Sequence, residues 1–123
     1  MIKTLNIITY GCNDTNKIKR SDTGAASAIR GAVEKKEIIK AVVSRGGRPD
    51  MAEDALNKLN TPTLLIVGEL DKTVIMLNEN AIKKIPGEKK IEIVPNASHL
   101  FEEPGALDEV ARLTADWFDH YLG

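Results

Sequence analysis

Residues 61–82, TPTLLIVGELDKTVIMLNENAI, decide the fold. Thr63 to Val67 is a short unbroken run of large apolar and β-branched side chains, the pattern of a strand buried on both faces. GELD ends that run as a turn. Val74, Leu77, Ala81 and Ile82 then recur at helical spacing until Pro86 and Gly87 close the element. A strand needing cover on both sides that leads through a turn into an amphipathic helix is part of a βαβ unit.

Reading outward, the pattern repeats. Downstream, Lys90 to Val94 (KIEIV) alternates and predicts a strand with one more polar face. It runs into PNASHLFEEPG and a long helix carrying Leu107, Val110, Ala111, Leu113, Trp117, Phe118 and Tyr121 on one side. Upstream, Ile38 to Val43 (IIKAVV) predicts another strand, ended by SRGGRPD. Asp50 and Glu53 have the spacing of a capping box for the short helix that follows, which Asn60-Thr-Pro stops. Further back, Lys17 to Arg20 is a very short extended candidate. It precedes a helix with Ala25, Ala26, Ala28, Ile29, Ala32 and Val33 on its buried side. Thr4 to Tyr10 (TLNIITY) predicts a first strand. Strands alternating with helices imply parallel pairing, so the expected architecture is an α/β domain over residues 1–123 with a mainly parallel sheet of four or five strands. Ligands in such sheets collect at the carboxyl ends of the strands. Those ends carry SRGGRPD, GELD and PNASHLF.

Composition narrows the function classes. The 123 residues suffice for one core, and 42% hydrophobic with 28% charged residues is ordinary globular composition. Seventeen basic and 18 acidic side chains leave a formal net charge of -1, which supplies no field for nucleic acid or an anionic membrane. Cys12 is the sole cysteine and there are two histidines, His99 and His120. That excludes an internal disulfide and any multi-cysteine or histidine-rich metal site, and no cofactor is expected. The apolar stretch near the start is too short for a signal segment or a membrane span, so the cytoplasm is the expected compartment.

Four stretches, SDTGAASA, VVSRGGRPDMA, PTLLIVGELDKTV and KIEIVPNASHLFEEPGAL, together resemble the carboxyl-terminal half of an α/β-hydrolase, in particular the dienelactone-hydrolase-like branch. The resemblance covers Ser21 to Gly123 and implies a truncated three-layer α/β-hydrolase sandwich. It also implies a catalytic set: the acid falls on Asp71, the histidine on His99, and the nucleophile position of the G-x-S-x-G turn on Asp22. Gly24 matches the second glycine of that turn, and Arg20 stands at the first. The amide of Thr23 is the implied oxyanion donor. The activity implied is hydrolysis of a small ester or lactone. Aspartate stands at the nucleophile position in relatives resembling haloalkane dehalogenases and epoxide hydrolases, where it attacks saturated carbon.

Blander readings stand beside these. Asp71 and His99 also suit a structural hydrogen-bonded pair that fastens two loops, and an aspartate with no proton to give attacks carbonyls poorly. The alternative function is therefore a non-catalytic α/β-hydrolase remnant acting as a structural or protein-interaction domain. Arg45 and Arg48, with the Gly46 and Gly47 amides, suit a carboxylate or phosphate of a small-molecule ligand, or else tie loops through Asp50 or Asp71. Half of a fold leaves a parallel strand as an edge. The first strand is expected to fill that place, or two chains to associate across it, and a homodimer is expected.

Overall fold

The structure, a computed structural model, describes the backbone of residues 7–11 and 21–122 and the side chains of residues 25–121. The described elements are β1 (Ile7–Gly11), α1 (Ser21–Glu34), β2 (Ala41–Arg45), a 3-10 turn (Pro49–Ala52) running into α2 (Glu53–Leu56), β3 (Thr63–Gly68), α3 (Lys72–Ile82), β4 (Lys89–Val94) and α4 (Ala106–Leu122). Four strands form one sheet in the order β1-β2-β3-β4, and every pairing is parallel. The expected first strand therefore lies beside β2, where the sheet would otherwise end. The extended candidate Lys17–Arg20 and Cys12 lie outside the described residues.

Burial follows the sequence pattern. Every residue of β3 is buried, from Thr63 to Gly68, and β2 is buried except at Arg45. On one face, Val42 packs with Ile29, Leu56, Leu59 and Ile85 beneath α1, α2 and α3. On the other, Val43, Leu64 and Ile66 meet Phe101 and Val110 beneath α4. The alanines of α1 let it lie close: Ala25, Ala26 and Ala32 are each at most 2% exposed. β4 is the more polar strand, as its alternation predicted. Lys90 pairs with Glu92 at 2.8 Å along this edge, a charged border of the kind that keeps a strand from recruiting another chain.

Three local expectations are corrected. The second strand starts at Ala41 and not Ile38, because the amides of Ile38 and Ile39 still donate to the Lys35 carbonyl (both 2.9 Å) in the turn that closes α1. The capping box does not form. Asp50 lies inside the 3-10 turn, its carboxylate held by Arg48 Nε (3.0 Å) and Nη2 (2.9 Å), while Glu53 is taken by Lys84 Nζ at 2.6 Å. On α4, Val110, Leu113, Trp117 and Phe118 pack inward as expected, but Leu107 is 44% exposed and Ala111 is exposed.

Gly68, at the end of β3, positions the rim. A Cβ there would stand 2.4 Å from the Ala97 carbonyl oxygen and 2.5 Å from that of Ser98, both backbone atoms that have little room to yield. Gly31 within α1 has nothing within 4 Å of a Cβ. Gly68→Ala is expected to destabilise the fold by about 2 kcal/mol through overpacking. Gly31→Ala is expected to stabilise it by about 0.5–1 kcal/mol through helix propensity. Urea unfolding of the two variants checks the opposite signs.

Candidate active site

β2, β3 and β4 run in one direction, so the loops that follow them open onto one rim. With no side chain at Gly68, GELD lies against the loop leaving β4. Glu69 N donates to Val94 O (3.0 Å) and Leu70 N to Ala97 O (2.9 Å). Asp71 closes GELD at the N-cap position of α3, yet its side chain makes no capping bond. Its carboxylate is turned the other way, with Oδ2 2.5 Å from His99 Nδ1. A carboxylate offers no proton, so Nδ1–H donates to it, and in the neutral ring that bond leaves the lone pair on Nε2. The Asp71 side chain is 16% exposed and that of His99 39%. Among the described residues Nε2 has no partner. The result is an imidazole oriented at the rim by Asp71.

The loop carrying His99 is fastened just before the histidine by two carboxylates, one from each side in sequence. Asn96 N donates to Glu69 Oε1 at 2.6 Å, and Ser98 N donates to Glu103 Oε1 at 3.0 Å. The hydrogen bonds from Ser98 hold the Glu103 carboxyl below its usual range, since they favour the charged form. Asn96 (φ 59°) and Phe101 (φ 56°) adopt left-handed backbone. Asparagine tolerates that conformation. Phenylalanine pays about 1–3 kcal/mol for it, offset by a ring that is only 3% exposed against Val94 and Val110.

The rest of the expected site is placed as follows. Asp22 and Thr23 lie in the first turn of α1, and their side chains lie outside the described residues. That end of α1 abuts the SRGG loop: a Cβ on Gly47 would stand 2.6 Å from both Ala25 Cβ and Ser44 Oγ. Arg45 and Arg48 are not brought together as an anion clamp. Arg48 grips Asp50, the loop-tying alternative, while Arg45 lines a groove under α4 on the opposite face of the sheet. Reasoning from sequence missed Asn78. It is buried in α3 and donates to Gly47 O (3.2 Å) and Val74 O (2.8 Å), tying the SRGG loop to the helix that begins at Asp71. It also missed Glu69 and the clamping role of Glu103. An acid two residues before Asp71 and another four after His99 are the only signal, and they become legible once the loops are known to touch.

No family model matches the chain. Among solved structures, the dienelactone hydrolase of Anabaena variabilis is 53% identical and superposes with a TM-score of 0.80, over 83% of this chain and 47% of that one. An esterase domain from Rhodothermus marinus superposes at 0.76 with 17% identity, over 96% of this chain and 61% of that one. Two Mycobacterium tuberculosis proteins named as phosphoribosyl transferases are 51% identical over 104 residues, 84% of this chain. The chain spans about a quarter (24%) of the length of those curated relatives and about half (47%) of the dienelactone hydrolase. Over the described residues the fold is that of the α/β hydrolases, and the chain is hydrolase-like. Among those residues no helix is long and apolar enough to cross a membrane.

The Glu103 clamp has a definite pH sign. Its folded pKa lies below its unfolded value, so the clamp contributes fully above the unfolded value and is lost as pH falls through the folded one, on the acid side of the usual glutamate range. Amide hydrogen exchange at Ser98 is expected to be slow at neutral pH and faster in Glu103→Gln, with no comparable change at Val67.

Proposed function

We propose that this α/β-hydrolase-fold chain is a hydrolase acting on a small ester or lactone, with His99 as general base and Asp71 as its orienting acid. The observation that carries the reading is the Asp71–His99 bond, made by a carboxylate that leaves its own helix uncapped. Leu70 (57% exposed) directly precedes Asp71 and Leu100 (36% exposed) directly follows His99, exposed apolar side chains on the same two loops that support a small hydrocarbon acyl group as substrate.

Asp22 changes the expected chemistry. A serine at that position gives its proton to histidine and attacks as an alkoxide; a carboxylate has no proton to give. The reading therefore uses water. His99 Nε2 takes a proton as the water oxygen bonds to the acyl carbon, and the tetrahedral intermediate expels the alkoxide. That alkoxide recovers the proton from the imidazolium, and the acid product is released. Asp22 is assigned a hydrogen bond, with no proton transfer, from the second O–H of the attacking water, and the Thr23 amide donates to the developing oxyanion. The reading includes a cytoplasmic setting, supported by the single cysteine. The phosphoribosyl transferase name of the curated relatives is not carried over, because three-quarters of their length has no counterpart here.

The non-catalytic reading is favoured by one specific observation of the sequence, Arg20 and Asp22 at the first glycine and serine positions of a G-x-S-x-G pattern that otherwise keeps Thr23-Gly24. Hydrolysis of p-nitrophenyl acetate separates the two. The enzyme reading expects His99→Ala to lose about 10²-fold in rate. It expects Asp22→Ser to gain activity and show a burst as an acyl-enzyme forms. Equal hydrolysis by the parent and His99→Ala proteins overturns it in favour of the interaction domain.

A further inference from the structure

Among the described residues, one helix, α4, covers its face of the sheet, packing over β2, β3 and β4. The opposite face carries α1, α2 and α3. A buried parallel sheet needs both faces covered. Beside α4, towards β2, an open groove of about 450 Å³ is lined by Arg45 and by Leu107, Ala111, Thr114, Ala115 and Phe118. Leu107, Ala111, Thr114 and Phe118 recur at intervals of three and four, so they form one stripe along the helix. Its small central residues leave room for another helix to approach closely.

Two opposite charges mark the ends of this stripe. Arg45 ends β2, and the strand ends lie at the start of α4, since α4 follows the loop leaving β4. Asp119 lies one helical turn beyond Ala115, on the border of the stripe near the other end of α4. Among the described residues neither the Arg45 nor the Asp119 side chain has a hydrogen bond or ion pair. Asp108, the acid at Arg45's own end of the helix, is not paired with it either.

We propose that the groove is filled by α4 of a second copy of this chain, lying antiparallel along the first about a two-fold axis. The stripe is self-complementary in that arrangement. Leu107 of one copy meets the region of Phe118 in the other, and Ala111 meets Thr114 across the axis. Arg45 reaches Asp119 of the second copy, close to the carbonyl end of that helix, where a cation is favoured. Each contact occurs twice, as a two-fold interface requires. This places the contact on the helical face and leaves the outer edge of β1 out of it.

Sedimentation equilibrium of the full chain tests this, with circular dichroism confirming that each variant stays folded. The parent is expected to dimerise. Ala111→Glu, at an exposed position, is expected to give a folded monomer. Arg45→Glu is expected to weaken dimerisation at least about tenfold by setting two acids together. Adding Asp119→Arg is expected to restore it, whereas adding Asp108→Arg is not. A parent that stays monomeric at every concentration overturns the proposal, and further chain or a different protein then covers the groove. A dimer indifferent to Ala111→Glu, or one rescued equally by Asp108→Arg, also overturns it.

Discussion

From Thr63 to Gly68, β3 has no exposed residue on either side, and most of the molecule is a response to covering it. A strand buried on both faces needs helices above and below it, and here each described connection between neighbouring strands β2, β3 and β4 passes through a helix. Its neighbours must arrive by crossovers, and crossovers make the neighbouring strands parallel. Parallel strands in turn deliver all their exit loops to one rim. The meeting of Asp71 and His99, 28 residues apart, is therefore fixed by the same requirement that buries Leu64 and Leu65.

Bringing loops to one rim does not yet make them touch. Strands β3 and β4 are one hydrogen-bonding step apart, and side chains at their ends would normally hold the loops at van der Waals distance. Gly68 removes that spacer. The carboxylates of Glu69 and Glu103 then accept backbone amides that the irregular loop would otherwise leave for water. Phe101 anchors the far side in the core. The loop is thus held by charge at the surface and by an aromatic ring beneath, and His99 sits between the two.

The fold was legible because its evidence is redundant. The apolar run of TLLIV, the alternation of KIEIV and the alanine stripe before residue 34 each point to the same layered sheet, so small errors at Ile38 or in the capping of α2 do not disturb the topology. The dyad was legible through the resemblance, in the order GELD then NASHLF. What was not legible depends on single side chains choosing between partners. Asp50 and Glu53 have capping-box spacing, but each found a basic group. Arg45 and Arg48 are three residues apart, yet one ends a strand and points to the α4 face while the other lies in the turn beyond it. Leu107 and Ala111 share the apolar pattern of α4, and periodicity cannot say which part of a wide apolar face the sheet will cover.

Energetics bear on the choice between a structural and a chemical role for the dyad. An aspartate at an N-cap position normally satisfies an amide of the first turn, and giving that up costs about 1 kcal/mol. A hydrogen bond between partly exposed partners returns about the same amount. An ion pair at such a site would add little, because solvent screens it. Stability is thus nearly indifferent to which way Asp71 turns, and the two loops are already joined by the bonds from Glu69 N, Leu70 N and Asn96 N. The His99 bond contributes something those bonds do not: it orients the ring and, when the ring is neutral, places its proton on Nδ1 and its lone pair on Nε2. Fastening loops has no use for a tautomer, whereas proton transfer requires one, and on that ground the hydrolytic reading accounts for the arrangement better than the structural one.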